Sequence, residues 1–343
     1  MEVIYMAMFD KLLANLKADR KTIVFTEGTD ERILSATAKL LSEDIMDVIL
    51  CGNPDEVKAA TDKSGFDVSK ATVIDPASYG EMDEMVAKMA ELRRGKMTED
   101  ECRAALQKSN YFGTMLVKMG KADALLGGAT YSTADTVRPA LQIIKTKKGS
   151  NLVSSSFILF REKDGVEEKI SMGDCAINIG YNDRLDKEGN VVLTAAQQLA
   201  EVAVETARTA AFFGIDPKVA VLSFSTYGSG KGATVQLSHD AVIEARKIDP
   251  ELVIDGEFQF DAAVSPEVAK TKCPDSKVAG QANTFIFPLI EAGNIGYKIA
   301  QRLGGYEAYG PILQGLNAPI NDLSRGCNAD EVYKMAIITA GMA

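Results

Sequence analysis

Residues 22–51 read TIVFTEGTDERILSATAKLLSEDIMDVILC, and this stretch decides the fold class. Two short apolar runs, Thr22–Phe25 and Asp47–Cys51, flank a segment, Glu31–Leu41, whose apolar residues recur at helical spacing. Apolar runs of strand length that alternate with amphipathic helices indicate βαβ units, in which helices cover a parallel sheet. The stretch therefore predicts an α/β fold.

The same alternation extends over most of the chain. Further strands are expected at Ala71–Ile74, Ala122–Leu126, Val219–Ser225 and Val253–Asp255. Further helices are expected over residues 6–16, Pro54–Ala60, Glu81–Glu91, Ala134–Ile144, Ala195–Phe212, Val235–Ile248 and Ala329–Ala340. The runs Ser154–Phe160 and Lys169–Asp174, joined by a charged turn, favour an antiparallel hairpin instead. The polar segment Lys147–Asn151 indicates a change of domain.

The composition is typical of a globular protein with a large core. The chain has 343 residues, of which 46% are hydrophobic and 25% charged. Two domains are expected, because single cores rarely grow beyond roughly 250–300 residues. No apolar run approaches the ~20 residues of a membrane helix, and Glu2, Asp10 and Lys11 do not fit a secretory signal. The net charge of −10 disfavours nucleic acids and anionic membranes as partners.

Cysteine and histidine are sparse. Five cysteines stand singly, without a Cys-x-x-Cys pair, and the chain has one histidine, His239. This usage fits a reducing compartment, so we expect a cytoplasmic protein without a structural zinc site. The single histidine also excludes a metal site with several histidine ligands and disfavours a histidine-based triad. Carboxylates, arginines, lysines, hydroxyls or thiols are left to carry the chemistry.

The first segment with a chemical signature is GGAT, residues 127–130, which follows a predicted strand. Glycines at the carboxyl end of a strand let a ligand approach the backbone, and the N-terminus of the next helix offers unpaired N–H groups. Thr130, Ser132 and Arg138 add side-chain donors. The segment predicts an anion site at the edge of an α/β sheet, with an ordinary helix cap and a solvated arginine as the alternative.

The second segment is Ser225–Gly232, with the sequence STYGSGKG. It lies between a predicted strand and a predicted helix, and we expect Ser229 in it to contact a phosphate. The pattern departs from a P-loop, because Ser225 stands where the first glycine would be and Gly232 replaces the Mg²⁺-binding Ser or Thr. An ATPase or kinase is therefore not predicted.

The third segment, Phe287–Cys327, is the most specific. Eight glycines and prolines fall between Gly293 and Pro319, more than turns alone require. Ser324 and Arg325 then lead into a predicted helix. A hydroxyl and a guanidinium just ahead of a helix N-terminus suit a carboxylate, a phosphate or a developing oxyanion.

Several motifs in this chain resemble, in the same order, the signature of the phosphate acetyltransferase family. They are ELR at Glu91–Arg93, GGATYSTADTVRPALQIIKT, SSSFIL, GDCAIN at Gly173–Asn178, DGEFQFDAA at Asp255–Ala263, GNIGYK at Gly293–Lys298, GPILQGLN at Gly310–Asn317 and NDLSRGC at Asn321–Cys327. The resemblance covers nearly the whole chain.

The resemblance implies two α/β/α domains with largely parallel sheets flanking a cleft that holds the active site, the architecture of isocitrate and isopropylmalate dehydrogenases. The first domain would comprise residues 1–148 and 315–343, and the second residues 149–314. Family members transfer an acetyl group reversibly between acetyl phosphate and coenzyme A (CoA), commonly as homodimers. They bind no metal or other cofactor for the chemical step. The implied partners are CoA or acetyl-CoA, acetyl phosphate and phosphate.

The resemblance also implies roles for individual residues. Three would act at the reacting atoms: Ser324, Arg325 and Glu331. Seven residues are expected to bind substrate, of which the resemblance implies Arg93, Arg138 and Cys175; the others are Thr130, Ser132, Ser229 and Asn317.

Some positions depart from the family pattern. Glu331 stands where close members often carry aspartate, Tyr131 where histidine is common, and the first strand ends in FTEG without the usual proline. Glu331 also fits an N-cap box with Asn328, so Asp330 and Asp322 are alternative bases. A thiol nucleophile at Cys175 lacks a neighbouring histidine in sequence, which favours a binding or packing role for Cys175.

Other functions fit the same scaffold. A phosphate butyryltransferase or another short-chain acyltransferase differs by a few methylenes in the pocket, worth only ~1–3 kcal/mol each. An inactive CoA-binding regulatory homologue is the non-enzymatic alternative. The presence of Ser324, Arg325, Arg138 and Arg93 favours an enzyme.

Overall fold

The computed structural model describes residues 6–343. Its strands are β1 Thr22–Phe25, β2 Asp47–Cys51, β3 Thr72–Ile74, β4 Ala124–Gly127, β5 Ser154–Lys163, β6 Val166–Gly173, β7 Arg184–Leu185, β8 Val191–Leu193, β9 Val219–Leu222, β10 Ile254–Phe258, β11 Thr284–Ile286, β12 Glu307–Gln314 and β13 Ile320–Asp322. Its α-helices are α1 Met6–Ala18, α2 Glu31–Ser42, α3 Pro54–Ser64, α4 Met82–Arg93, α5 Glu99–Leu106, α6 Ser109–Lys118, α7 Thr133–Pro139, α8 Ala195–Phe212, α9 Ala233–Ile248, α10 Phe260–Val264, α11 Pro266–Lys272, α12 Ile290–Arg302 and α13 Ala329–Gly341. Residues 1–5, which include Glu2 and open the first domain expected from the sequence, lie outside the described residues.

The chain divides into two compact units. The first runs up to Lys148 and resumes at Leu316–Ala343, and the second is Gly149–Gly315. In the first unit, five parallel strands form a sheet in the order β13-β4-β1-β2-β3. The βαβ unit predicted from residues 22–51 is present as β1, α2 and β2.

The second unit contains a six-stranded sheet in the order β10-β9-β11-β6-β5-β12. The pairs among β10, β9, β11 and β6 are parallel. The long strands β5 and β6 form the predicted antiparallel hairpin, and β12 pairs antiparallel with β5. A separate two-stranded ribbon joins β7 and β8. Together the two sheets confirm the α/β class with largely parallel sheets.

The helix predicted over Ala134–Ile144 divides at Pro139. The α7 segment ends there, and Ala140–Ile144 continues as a wider π-helical turn. Proline has no N–H to bond the carbonyl four residues earlier and its ring crowds that carbonyl. The carbonyl, that of Asp135, instead accepts a bond of 2.7 Å from the side-chain amide of Asn110.

The C-terminal segment completes the first unit. Strand β13 adds to the edge of the sheet beside β4, and α13 packs against α1 and α2. Eight of the nine residues from Val332 to Ala340 in α13 are buried, and Lys334 is the exception. None of the helices within residues 6–343 is both long and apolar enough to span a lipid bilayer.

Candidate functional site

Three parallel strands of the first unit end side by side. Phe25 of β1 pairs with Leu126 of β4, and Gly127 of β4 pairs with Asp322 of β13. The loops that follow these strands therefore leave the same, carboxyl edge of the sheet, where α/β proteins bind ligands. This edge brings the predicted GGAT segment beside the predicted Ser324–Arg325 segment.

A buried carboxylate occupies the GGAT loop. Oε1 of Glu27 accepts hydrogen bonds from the N–H groups of Gly128 at 3.0 Å and Thr130 at 3.1 Å, and lies 3.5 Å from the Thr130 hydroxyl. Its Oε2 accepts a bond of 2.7 Å from the Thr26 hydroxyl. Burial raises the pKa of Glu27, although the hydrogen bonds from Thr26, Thr130 and Gly128 lower it in part. The N–H groups of Gly128 and Thr130, in the loop where the sequence predicts an anion, are thus already bonded to a carboxylate of the chain.

Tyr131 takes a structural place in this network. Its hydroxyl lies 2.8 Å from the Thr26 hydroxyl, and burial, with the nearby Glu27 carboxylate, raises the pKa of the phenol. A Cβ atom at Gly127 would lie 2.2 Å from the Tyr131 hydroxyl oxygen, so only glycine fits there. The tyrosine at this position therefore packs against the end of β4 and adds no titratable group near neutral pH.

Asp322, at the end of β13, links the GGAT segment to the Ser324–Arg325 loop. It is 1% exposed, and its two oxygens accept bonds from the hydroxyls of Thr133 at 2.6 Å and Thr136 at 2.5 Å. Burial raises the pKa of Asp322 to about 6, with Glu27 adding to the rise and the threonines and Arg325 opposing it. Both oxygens are committed to α7, so Asp322 orients that helix.

Ser324 and Arg325 lie in an exposed turn between β13 and α13. The Ser324 hydroxyl accepts a bond of 3.3 Å from the N–H of Gly326, and the N–H of Cys327 donates to the Ser324 carbonyl at 2.9 Å. Within the described part of the chain the Arg325 guanidinium has no ion-pair partner within 4.0 Å. The turn thus presents a hydroxyl and a cation to solvent at the carboxyl edge.

The candidate bases differ in how they are engaged. Glu331 closes the capping box foreseen from the sequence: its Oε2 accepts from the Asn328 N–H at 3.1 Å, and its own N–H donates to Asn328 Oδ1 at 2.9 Å. The side chain of Glu331 is partly exposed. Asp330 forms an ion pair of 2.7 Å with Lys334 one turn later. Asp322 has no exposed oxygen to offer.

Two predicted substrate-binding residues flank the same edge. The Ser132 hydroxyl donates to Asp135 at 2.7 Å, and leaves the first turn of α7 without a side-chain cap. Arg138 is 60% exposed and lies 4.0 Å from Asp135. Arg138 therefore keeps most of its guanidinium available.

The other predicted residues of the first unit have different surroundings. Nε of Arg93, at the end of α4, is buried and lacks a hydrogen-bond partner among the described residues. The Asn317 amide donates to the carbonyls of Thr146 at 2.7 Å and Ile144 at 3.3 Å. Asn317 thereby fastens the chain where it re-enters the first unit.

Cys175 and Ser229 belong to the second unit. The Cys175 thiol is fully buried, and burial raises its pKa well above the ordinary value. Of the roles left open by the sequence, packing therefore fits Cys175 better than contact with a substrate. The Ser229 hydroxyl accepts a bond of 3.0 Å from the Thr226 N–H and so stabilises its own turn.

The glycine-rich loop around Ser229 also holds an internal carboxylate. Oε1 of buried Glu257 accepts from the Gly228 N–H at 2.7 Å and the Ser225 hydroxyl at 2.9 Å. An open cavity of about 740 Å³ lies beside this loop, lined among others by Lys231 and His239. His239 is half exposed there, with Nδ1 3.6 Å from a carboxylate oxygen of Glu257.

Sequence reasoning did not single out Glu27 or Arg32 as site residues. The signal for Glu27 was its place two residues after the first strand, in the FTEG departure noted above. Arg32 showed no signal, because an arginine in the first turn of an amphipathic helix usually faces solvent. Among residues 6–343 no three His, Cys, Asp or Glu side chains form a group suited to a metal ion.

Comparison with known proteins identifies the family of the chain. The phosphate acetyl/butaryl transferase family model matches residues 7–340. A phosphate acetyltransferase of Bacillus subtilis (strain 168) is 52% identical over 321 residues, 94% of each chain. The crystal structure of a phosphotransacetylase from Streptococcus pyogenes superposes with a TM-score of 0.90 at 50% identity, covering 99% of this chain and 98% of that one. The EutD phosphotransacetylase from Staphylococcus aureus has a TM-score of 0.85 at 48% identity and 97% coverage of both chains.

The family match spans both units and covers the loops at the carboxyl edge of the first sheet. With about half of all residues shared with two such relatives over nearly their full lengths, the chain belongs to the phosphate acetyl/butaryl transferase family.

Proposed function

We propose that this chain is a phosphate acetyltransferase, which catalyses acetyl-CoA + phosphate = CoA + acetyl phosphate. The observation that carries the proposal is the exposed Ser324–Arg325 turn at the carboxyl edge, in a chain whose close relatives are named for this activity. Acetyl phosphate and CoA are both anions. An exposed guanidinium that is not neutralised by a neighbouring carboxylate suits such substrates despite the net charge of −10.

The reaction fits direct transfer in a ternary complex. The thiol of CoA resembles that of cysteine, with a pKa near ~8.5, so only a few per cent is thiolate at neutral pH. A carboxylate that accepts the thiol proton lets sulfur attack the acetyl carbonyl, and the bond to phosphate then breaks. Acetyl phosphate is already an activated acyl donor. The buried Cys175 is accordingly not needed as a nucleophile.

Glu331 is the carboxylate that we assign as the base. Its Oε2 is held by the Asn328 N–H, which orients the group, while the side chain remains partly exposed. Asp322 is 1% exposed with both oxygens bonded to threonines, and Asp330 is paired with Lys334. Glu331 therefore combines fixed geometry with access better than either alternative.

Arg325 is assigned to the charge that develops on the carbonyl oxygen and on the departing phosphate. A guanidinium presents two parallel N–H donors that match two oxygens bidentately, whereas an ammonium acts as a point charge without that fixed geometry. Ser324 adds a hydroxyl beside it. Arg138 is exposed and suits the phosphates of CoA or acetyl phosphate, and Arg93, Thr130, Ser132, Ser229 and Asn317 remain proposed contacts of the larger substrate.

The proposal is tested by measuring acetyl-CoA formation from acetyl phosphate and CoA, with butyryl phosphate in parallel. We expect turnover on acetyl phosphate to exceed turnover on butyryl phosphate. A faster reaction with butyryl phosphate would indicate a phosphate butyryltransferase, and the absence of either product would leave a CoA-binding homologue without this activity.

Two further properties are proposed on the resemblance and the composition. We infer a homodimer, to be checked by sedimentation equilibrium, where a mass of one chain would contradict it.

We also infer a cytoplasmic location, because five single cysteines, all buried and unpaired among the described residues, suit a reducing compartment. Cell fractionation tests that location.

A further inference from the structure

Arg32 lies in the first turn of α2, the helix that follows β1. All five N–H donors of its guanidinium point at acceptors. Nε and Nη2 donate to the two carboxylate oxygens of Asp30 at 2.9 and 2.8 Å. Nη2 also donates to the carbonyl of Ala129 at 2.9 Å. Nη1 donates to the carbonyls of Arg325 at 2.8 Å and Cys327 at 3.1 Å. The guanidinium is thus fully used within the chain.

Asp30 fixes the plane of this guanidinium. The carboxylate binds it bidentately, and its Oδ1 also accepts the Arg32 N–H at 2.9 Å as the N-cap of α2. The side chains of Asp30 and Arg32 are only 15% and 27% exposed. Because a bidentate pair in this setting has one geometry, the remaining donors of Arg32 have a defined direction.

The three carbonyls come from the two loops that carry the proposed chemistry. Ala129 belongs to the GGAT loop, and Arg325 and Cys327 belong to the turn after β13. The other bonds described above for this turn, from Gly326 and Cys327 to Ser324, are local. Arg32 therefore ties an otherwise exposed turn to α2 and to the neighbouring loop.

We propose that Arg32 is a positioning residue for acetyl transfer, whose guanidinium fixes the Ser324–Cys327 backbone so that the side chains of Ser324 and Arg325 face the substrate. The inference rests on the proposed function of that turn. Arg32 holds the backbone carbonyl of Arg325 and leaves the Arg325 guanidinium available to the substrate. Positioning matters because a displacement of about 1 Å can cost ~10²-fold in rate.

Lysine cannot perform this task. An ammonium has three donors on one atom, so it cannot bind both oxygens of Asp30 and three carbonyls in different directions. We therefore expect Arg32→Lys to keep the charge and lose the clamp. Asp30→Asn is a milder change, because asparagine caps a helix as well as aspartate does but no longer forms the ion pair.

Arg20 offers a matched control in the same unit. It binds Asp47 at 2.8 Å and Asp44 at 2.7 Å and approaches the carbonyls of Asp44 and Met46 at 3.4 Å. This cluster lies ahead of β1, at the opposite edge of the sheet. Arg20→Gln therefore removes a similar arginine cluster without touching the carboxyl edge.

The test compares kcat and KM of Arg32→Lys, Asp30→Asn and Arg20→Gln in the full chain. We expect kcat to fall about 100-fold for Arg32→Lys and about tenfold for Asp30→Asn, with KM for CoA and acetyl phosphate within about threefold of the parent. Arg20→Gln should keep both constants. A kcat within about threefold of the parent in Arg32→Lys, or in a folded Asp30→Asn if Arg32→Lys does not fold, overturns the proposal. A rise in KM at unchanged kcat also overturns it, since Arg32 would then bind substrate.

Hydrogen exchange gives a readout that does not depend on the reaction. Amides of residues 324–328 should exchange faster in Arg32→Lys and Asp30→Asn than in the parent, and at the parent rate in Arg20→Gln. Equal exchange in all four proteins overturns the clamp. A parent without acetyl-CoA formation would refute the proposed function, whereas the exchange result would still decide whether Arg32 holds the turn.

Discussion

Glu331 has two roles at the N-terminus of α13, one structural and one in the proposed reaction. It caps α13 through the Asn328 N–H, and in the proposed reaction it accepts a proton. Glutamine serves in a capping box as well as glutamate does, so Glu331→Gln removes the base and keeps the cap. We expect kcat to fall by roughly 10²–10⁴-fold with little change in the free energy of unfolding, measured by acetyl-CoA assay and denaturant titration.

Asn328→Ala is the complementary variant. It deletes the side chain that accepts the Glu331 N–H and leaves the carboxylate in place. The free energy of unfolding should fall by about 1 kcal/mol, with a smaller loss of kcat than in Glu331→Gln. If Glu331→Gln kept more than about half of the parent kcat, the base would have to be another group, and Asp330 would be the next to replace.

Asp322 makes a prediction about pH and stability. Its pKa in the folded protein, about 6, lies above the ordinary 3.8, so the folded state binds this proton more tightly than the unfolded state does. The parent therefore gains stability relative to Asp322→Asn as the pH falls from about 6 towards 4. Over the whole pH range spanned by the two pKa values, the unfolding free energy of the parent should rise by about 3 kcal/mol relative to that of Asp322→Asn.

Denaturant titrations of the parent and Asp322→Asn between pH 5 and 8 measure the upper part of this change. At pH 7 and above we expect Asp322→Asn to be at least as stable as the parent, because it avoids burying an ionised carboxylate. Asp135→Asn is the control: the Ser132 hydroxyl lowers the pKa of Asp135, so this carboxyl stays ionised in the folded and unfolded states between pH 5 and 8, and its replacement should leave the pH dependence of stability unchanged over that range. If the free energy of unfolding varied with pH in the same way for the parent and Asp322→Asn, the pKa of Asp322 would not be raised by folding.

At the scale of loops and secondary-structure elements, the two glycine-rich loops behave alike. Sequence patterns predicted an anion at each loop, and in the structure N–H groups of each loop bind a glutamate of the chain, Glu27 or Glu257. The pattern of glycines shows that an anion approaches the backbone. It does not show which anion, because the carboxylate comes from a neighbouring strand end that only the three-dimensional fold brings close.

Local patterns did predict most elements. The strands β1 and β2 and the helix α8 have the expected bounds, and many others differ by a few residues at their ends. The glycines of the third segment were harder to interpret, because Gly293 lies inside helix α12, where glycine is usually unfavourable. A Cβ atom there would lie 2.9 Å from the Asp174 carbonyl and 3.0 Å from the Cys175 sulfur. Close packing between distant segments explains this glycine, and no local rule could have predicted it.

Gly128 is the glycine on which the junction of the two site loops depends most. Its φ is +101°, and a Cβ atom would lie 2.2 Å from Asp322 Oδ1 and 3.0 Å from the backbone of Leu323. Gly128→Ala should therefore cost the strain of a positive φ, about 1 kcal/mol, and roughly 1–3 kcal/mol more for the overlap. Activity should fall as well, since the overlap displaces the chain just ahead of Ser324.

Gly120 provides the control for that prediction. Its φ is +71°, and a Cβ atom there would meet nothing within 4 Å. Gly120→Ala therefore measures the backbone strain alone, at about 1 kcal/mol, and should keep the parent kcat. Thermal unfolding and the acetyl-CoA assay separate the two variants, and equal behaviour would mean that the Gly128 contacts do not constrain the site.

At the scale of the whole molecule, the proposed chemistry depends on the last segment of the chain. Ser324, Arg325 and Glu331 all follow Leu316, where the chain re-enters the first unit. The carboxyl edge is therefore incomplete until β13 has paired with β4, a contact between residues far apart in sequence. Such pairing pays the entropy of closing a long loop before it gains any contact energy.

A chain shortened to end at Gly315 tests this dependence. It would lose β13, which covers the edge of β4, and α13, whose residues from Val332 to Ala340 are buried except Lys334. The exposed strand edge and apolar surface should leave the first unit unfolded or aggregated, as seen by circular dichroism and size-exclusion chromatography. A chain that lacks only Met342 and Ala343 is the control and should remain folded and active. A monodisperse shortened chain with the helix content of its remaining elements would show instead that the first unit folds without its C-terminal segment.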